Sequence, residues 1–107
     1  MPKSEFYIGI IKPARDEFMT NPTEKEIAVM KDHFEYLKNL LAEGKLILAG
    51  PATNNDNPFG ILIFKAETQE EAEQMMKNDP SVIAGVQNIK EFEPFTLSLF
   101  KGPVEKK

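Results

Sequence analysis

The chain has 107 residues, a size typical of a single domain with a modest hydrophobic core. Its net charge of -4 and isoelectric point near 5.0 argue against a nucleic-acid partner, because proteins that bind phosphate backbones usually present a basic surface. The absence of cysteine excludes disulfides and thiol catalysis, and we expect a cytoplasmic protein. No apolar run approaches the roughly 20 residues of a membrane span, so we expect no membrane partner.

The first half of the chain predicts a strand followed, after a polar loop, by a long helix. Residues 6–12 are rich in aromatic and β-branched side chains, which is typical of a strand. Thr23 and Glu26 have the spacing of a capping box, and Gly44 is suited to end a helix, so we predict a helix over residues 23–43. Its apolar residues recur at helical spacing: Ile27, Met30, Phe34, Leu37 and Leu41.

Two strands and a second helix are predicted next. Residues 45–49 and 59–66 are apolar runs of strand length, separated by a loop rich in turn-forming residues. Thr68 and Glu71 repeat the capping-box spacing before a helix over residues 69–77.

The last part of the chain completes the fold pattern. Asp79-Pro80 predicts an N-cap and one short helical turn, and residues 86–100 predict extended structure interrupted near Pro94. The order β-α-β-β-α-β predicts an α+β, ferredoxin-like domain over residues 1–100, in which an antiparallel sheet carries helices on one face. Residues 101–107 are expected to form a flexible C-terminal tail.

The predicted strands are apolar on both faces. Phe59, Ile61 and Ile63 alternate with Leu62 and Phe64, whereas a sheet covered on one side should alternate apolar with polar residues. One layer of helices covers only one face, so we predict a homodimer that packs sheet against sheet.

Several short motifs between residues 30 and 100 form a recognisable series. They are His33-Phe34-Glu35-Tyr36-Leu37, Glu43-Gly44-Lys45-Leu46, Ala49-Gly50-Pro51, Phe59-Gly60-Ile61, Glu70-Glu71-Ala72, Asp79-Pro80, Ala84-Gly85-Val86 and Glu93-Pro94-Phe95. In this order and spacing they resemble the YciI-like (YCII-related domain) family of dimeric α+β barrel proteins.

This resemblance implies a dimer with facing sheets and an active site built from a histidine and an aspartate, at the positions of His33 and Asp79. Some relatives carry an arginine three residues before the histidine, where this chain has Met30, so an anionic substrate bound there is not implied. For some relatives the resemblance implies dehydrochlorination of a hydroxylated aromatic compound.

His33 and Asp79 are the candidate catalytic residues. His33 is the only histidine, and an imidazole oriented by a carboxylate can accept a proton from a bound molecule and return it. The alternatives are a boundary histidine bound to backbone or water, and an aspartate that only caps a helix. Both roles of Asp79 can coexist if one carboxylate oxygen caps and the other reaches His33.

Five further residues are candidates for substrate binding. Tyr36 could donate to a substrate oxygen, although helix tyrosines more often pack their ring. Lys12 and Arg15 could meet an anionic substrate, but solvated surface charges are the favoured interpretation. Tyr7 and Ser98 lie on predicted strands and could line a pocket. A lone histidine without cysteine is a poor metal site, and no glycine-rich phosphate loop is present, so we expect no metal and no cofactor.

Two functional hypotheses follow. The first is a cofactor-independent small-molecule enzyme of the lyase, isomerase or dehydrochlorinase type. The alternative is a non-catalytic dimer that binds a metabolite or a protein partner. RNA recognition by the sheet is opposed by the acidic charge and by the predicted burial of the free face.

Overall fold

The computed structural model describes residues 5–52 and 57–100, so the predicted tail over residues 101–107 lies outside the described part. Four strands form one sheet: β1 (Phe6–Pro13), β2 (Leu46–Ala52), β3 (Phe59–Lys65) and β4 (Gln87–Phe95). The helices are a short 3-10 helix (Asp16–Phe18), α1 (Glu24–Ala42), α2 (Gln69–Lys77) and α3 (Pro80–Ile83). Within the described ranges no helix is both long and apolar enough to cross a membrane.

The sheet is antiparallel with strand order β2-β3-β1-β4, which confirms the predicted α+β, ferredoxin-like fold. In the centre of the sheet Ile8 lies opposite Ile63 of β3 and Glu93 of β4. The register therefore places Ile8, Ile10 and Ile61 on one face, and Tyr7, Ile11 and Leu62 on the other face, since directly opposed residues point the same way.

The hydrophobic core lies between the helices and the sheet face that carries Tyr7 and Ile11. Gly9 of β1 lies under α2, where an added Cβ would overlap the side chain of Met76. The central buried residues are Tyr7, Ile11, Leu37, Leu40, Leu46, Leu62, Phe64, Ala66, Ala72, Met75 and Met76. Because every one of these comes from the sheet or from α1, α2 and the segments beside them, the core fixes the helices onto one face only.

The ends of the long helix are set by its caps. Thr23 and Glu26 form both bonds of the capping box, and Gly44 has a φ of +77° just after the C-cap. In α2 only half of the predicted box forms, since Thr68 accepts from Glu71 N while the Glu71 carboxylate accepts from the backbone of Glu67.

The buried face of α1 is rotated from the predicted apolar stripe. His33, Leu37 and Leu40 are buried, whereas Ile27 and Phe34 are 58% and 62% exposed. The apolar residues of α1 span a wider arc than the core can cover, so part of this arc faces a pocket instead of the core.

The last strand, β4, ends at Phe95, one residue after Pro94, which agrees with the interruption predicted near Pro94. Pro94 itself lies within β4, because β4 is an edge strand and the missing N–H of a proline is tolerated there. A further irregularity lies earlier, where the register shifts between Ile10 and Ile11 and leaves Lys90 as an extra residue of β4.

Candidate active site

His33 and Asp79 meet in the interior although they are 46 positions apart in the sequence. Nδ1 of His33 lies 2.7 Å from Oδ2 and 2.8 Å from Oδ1 of Asp79. Their side chains are 11% and 2% exposed, respectively. A carboxylate can only accept hydrogen bonds, so Nδ1 carries the proton of this bond and, in the neutral ring, Nε2 carries the lone pair.

Asp79 is also the N-cap of α3. Its Oδ1 accepts from the backbone N–H of Ser81 at 2.8 Å, and Pro80 occupies the first helical position. The two roles foreseen for this carboxylate therefore coexist. A buried carboxylate needs several hydrogen-bond donors, and the cap and the imidazole supply two of them.

Ser81 and Gln87 extend this network. The Ser81 hydroxyl lies 2.9 Å from Oδ1 of Asp79, 2.9 Å from Oε1 of Gln87 and 3.3 Å from Nδ1 of His33. Ser81 is fully buried and Gln87 is 7% exposed. The four side chains form one connected polar cluster between α1, α3 and the start of β4.

His33 and Gln87 line a pocket of about 590 Å³. Its walls come from α1 between Ile27 and Leu37, the 3-10 helix with the residue that follows it, strands β2 and β3 with Pro58, and the C-terminal end of β1. The apolar residues that line it are Ile11, Pro13, Phe18, Met19, Ile27, Met30, Phe34, Leu37, Ala49, Pro51, Ala52, Pro58, Phe59, Ile61 and Leu62. A largely apolar cavity with a few converging polar groups is the usual form of a small-molecule site.

Neither Ser81 and Gln87 nor the pocket role of Ile27, Met30 and Phe34 was predicted from the sequence. The last three carried a signal, because apolar residues spread over a broad arc of α1 exceed what one core contact needs. Ser81 and Gln87 carried none, since a serine after Asp-Pro and a glutamine before a strand are unremarkable in isolation.

Arg15 and Lys12 are both paired with other side chains. Arg15 donates to the Glu26 carboxylate at 2.7 and 2.9 Å and forms a longer ion pair with Glu17 at 3.2 Å. The hydrogen bond to Glu26 raises the pKa of Arg15, and the same bond lowers the pKa of Glu26 to about 2. Lys12 bonds to Asn57 and lines a separate small depression.

Tyr36, Tyr7 and Ser98 are not among the described residues that line the pocket beside His33. The Tyr36 hydroxyl donates to the backbone oxygen of Met75 at 2.7 Å, and burial, followed by the Asp79 carboxylate, raises its pKa. Tyr7 is a core residue whose ring stacks on Phe92 with centroids 6.0 Å apart. Ser98 is exposed beyond the end of β4. Among the seven predicted site residues, the described structure joins His33 and Asp79 to each other by a hydrogen bond.

In residues 5–52 and 57–100, no His, Asp and Glu side chains gather in a group of three or more that could hold a metal ion. The polar cluster contains one imidazole and one carboxylate, both directed at each other. This pair can therefore transfer a proton at Nε2 of His33, while Asp79 holds Nδ1 of the same ring.

Comparison with known proteins places the chain in a family. The chain is 36% identical to an uncharacterized protein of Haemophilus influenzae, over 62% of this chain and 76% of that protein. A solved structure of 5-chloro-2-hydroxyhydroquinone dehydrochlorinase from Burkholderia phenoliruptrix, in complex with 2,5-dihydroxybenzoquinone, matches with a TM-score of 0.55. That match has 23% identity and covers 81% of this chain and 87% of the other, so it shows a shared fold. The family model of the YCII-related domain matches residues 6–96, and the chain therefore belongs to the YCII-related domain family.

Proposed function

We propose that this protein is a cofactor-independent enzyme that moves a proton on a small molecule bound in the apolar pocket. The observation that carries the proposal is the geometry of His33, whose Nδ1 is held by Asp79 while the residue lines the pocket. Nε2 is then the ring nitrogen left to accept a proton from the substrate and return it. Asp79 fixes the tautomer and stabilises the imidazolium that forms during transfer.

The reaction class is supported by the fold neighbour. The dehydrochlorinase acts on a hydroxylated, chlorinated ring, and loss of HCl requires removal of a proton as chloride leaves. A His–Asp pair supplies that proton transfer, and it serves isomerases and other lyases equally well. We therefore propose a lyase, isomerase or dehydrochlorinase, with a substrate still to be identified.

Proton transfer can be tested without knowing the natural substrate. A panel of cyclic ketones, phenols and hydroquinones, with 5-chloro-2-hydroxyhydroquinone included, is incubated with the protein in D₂O. NMR then follows deuterium incorporation at carbon, and a chloride assay follows dehydrochlorination. At least one compound is expected to react with the wild type and to react at the background rate with His33→Asn.

The alternative is a dimer that binds a metabolite without transforming it. In that case compounds of the panel would bind in the pocket, yet wild type and His33→Asn would give equal, background rates of exchange and chloride release. The same experiment therefore separates the two functions.

We further propose that the protein is a homodimer with facing sheets. In the single chain, Ile8, Ile10 and Ile61 on the free sheet face are only half-buried, and Leu48 of β2 is 45% exposed. These residues form a continuous apolar surface, because Ile8 and Ile10 lie opposite β3 residues that themselves lie beside β2. A second copy of the same sheet offers the matching apolar surface, which is the usual basis of a two-fold interface. The cytoplasmic location expected from the sequence stays a prediction.

A further inference from the structure

The Ser81 hydroxyl lies within hydrogen-bond distance of two oxygen atoms, and both are hydrogen-bond acceptors. Its Oγ is 2.9 Å from Oδ1 of Asp79 and 2.9 Å from Oε1 of Gln87. A serine hydroxyl has one proton and can donate it to one acceptor at a time. One of the two oxygens would therefore face Ser81 without receiving a hydrogen bond.

The Asp79 carboxylate is a stronger hydrogen-bond acceptor than the Gln87 amide oxygen. Hydrogen bonds to an ionised acceptor are about twice as strong as those between neutral groups. The Asp79 side chain is only 2% exposed, so loss of the hydroxyl bond would leave its buried charge short of donors. Ser81 Oγ–H therefore donates to Asp79, and its lone pairs face Gln87.

The amide of Gln87 can complete this arrangement by presenting its nitrogen to Ser81. A glutamine amide has nearly the same shape in its two orientations, and the hydrogen-bond network decides between them. With Nε2 toward Ser81, a chain of donors runs from Gln87 to Ser81 to Asp79, and each contact has one donor and one acceptor. The carbonyl oxygen Oε1 then faces the pocket, which Gln87 lines.

We propose that Gln87 is a substrate-binding residue oriented by Ser81, and that Gln87 and His33 together select an uncharged molecule carrying hydrogen-bond donors. This inference rests on the proposed function, because it takes the pocket beside His33 as the active site. Both groups present acceptors, Oε1 of Gln87 and Nε2 of the neutral imidazole, so hydroxyl or N–H groups of the ligand complement them.

The remaining lining of the pocket favours an uncharged ligand. Met30 adds an apolar wall one turn before His33, and Lys31 is an exposed residue at the rim. Arg15, which could have met an anion, is neutralised by Glu26. A carboxylate ligand would face two acceptors without a buried cation to offset its desolvation.

The orientation of the amide can be measured in the free protein. NMR should show nuclear Overhauser contacts from the Gln87 side-chain NH₂ to the Hβ protons of Ser81. In Ser81→Ala the NH₂ protons should exchange faster with water, because their acceptor is gone. Contacts from the NH₂ to pocket-lining side chains alone, with none to Ser81, would overturn the proposal.

Ligand selection is measured with hydroquinone and 1,4-dimethoxybenzene at pH 8. Both place two oxygens on the same ring, but only hydroquinone can donate. We expect the wild type to bind hydroquinone at least about tenfold more tightly, a preference of about 1.4 kcal/mol. Gln87→Met has a similar length and no amide, and it should reduce this preference several-fold; Ser81→Ala should reduce it as well, while Gln87 is still present.

Gln74→Met is the matched control, since Gln74 is exposed on α2 and the change in side chain is the same. It should leave the preference ratio unchanged. An unchanged ratio in Gln87→Met, a preference of the wild type for 1,4-dimethoxybenzene, or binding of neither compound at millimolar concentration would each contradict the proposal.

The outcome is separable from that of the proposed function. Neither measurement requires turnover. If the amide contacts and the binding preference are found but no His33-dependent exchange occurs, the proposed catalysis is refuted and ligand recognition by Gln87 is supported. His33-dependent exchange with an unaltered preference ratio in Gln87→Met would remove the role of Gln87 and leave catalysis.

Discussion

The Asp79 carboxylate binds the His33 imidazole and the backbone N–H of Ser81 at the same time, through contacts of 2.7 to 2.8 Å. The first contact orients the ring that lines the pocket, and the second begins α3. The start of a four-residue helix therefore positions the carboxylate that contacts His33, because the same side chain caps α3. Because asparagine also caps helices but carries no charge, a substitution to asparagine can separate the charge of Asp79 from its capping role.

Asp79→Asn should keep the fold and lose the orientation of His33. An asparagine caps a helix about as well as aspartate, so thermal stability should change little through α3. The amide no longer requires a proton on Nδ1, and the neutral ring should shift toward the tautomer protonated at Nε2. Imidazole ¹⁵N NMR reads this shift, and the rate on any compound found in the D₂O panel should fall by about 10²–10⁴-fold.

Asp32→Asn is the control for this change, since Asp32 is exposed on α1 next to His33 in sequence. It should leave both the tautomer and the rate as in the wild type. An unaltered ¹⁵N pattern in Asp79→Asn would remove the orienting role of the carboxylate.

Glu26→Gln should lower the free energy of unfolding at neutral pH, and this difference from the wild type should disappear in acid. The hydrogen bond from Arg15 and that from the backbone of Thr23 lower the pKa of Glu26 from 4.5 to about 2. A carboxylate with a lowered pKa stabilises the folded state above its unfolded pKa, and that stabilisation is lost as the pH falls from 4.5 through about 2. Urea unfolding of both proteins between pH 7 and pH 2 should show two curves that converge as the pH falls.

Glu35→Gln provides the comparison, because Glu35 forms an exposed ion pair with Lys38 at 3.3 Å. Exposed pairs contribute little, so this variant should follow the wild type across the pH range. A constant difference between wild type and Glu26→Gln down to pH 2 would contradict the assignment to the Arg15–Glu26 pair.

Tyr36→Phe tests whether the Tyr36 hydroxyl stabilises the fold or binds a ligand. Its hydroxyl donates to the Met75 backbone oxygen, which links α1 to α2. Removal of the hydroxyl leaves that oxygen without its donor, and the free energy of unfolding should fall by about 1–2 kcal/mol. Hydroquinone binding should be unchanged, and a clear loss of affinity would restore Tyr36 as a substrate-binding residue.

Ile8→Glu should prevent dimerisation if the free sheet face is the interface. Ile8 lies at the centre of that face, directly opposite Ile63 and Glu93. A second carboxylate there would be buried beside Glu93 in a facing pair of sheets, at a cost of several kcal/mol. Light scattering at micromolar concentration should give about twice the chain mass of 12.1 kDa for the wild type and about 12.1 kDa for the variant.

The same substitution at Ile83 is the matched control. Ile83 is 70% exposed on α3, in the helix layer rather than on the free sheet face. Ile83→Glu should remain dimeric, and a wild-type protein that is a monomer at this concentration would overturn the facing-sheet dimer.

The sequence by itself determined the elements and their order. Caps such as Thr23 with Glu26, and Asp79 before Pro80, act within a few residues, so local spacing was sufficient to place α1 and α3. Alternation along β1 and β3 was sufficient to show that both faces of these two strands are apolar, since side chains of a strand alternate with a period of two. His33 and Asp79 were proposed as partners through family resemblance, because no local pattern connects residues so far apart.

Only the tertiary structure decided which side chains converge. The rotation of α1 buries His33 and turns Ile27 and Phe34 toward a pocket. This rotation depends on how the helix packs on the sheet, and the spacing of apolar residues along the helix does not specify that packing. Arg15 and Tyr36 had two interpretations each until Glu26 and the Met75 carbonyl were found as their partners. Ser81 and Gln87 became part of the site through hydrogen bonds of 2.9 Å between separate elements, and such contacts exist only once the chain has folded.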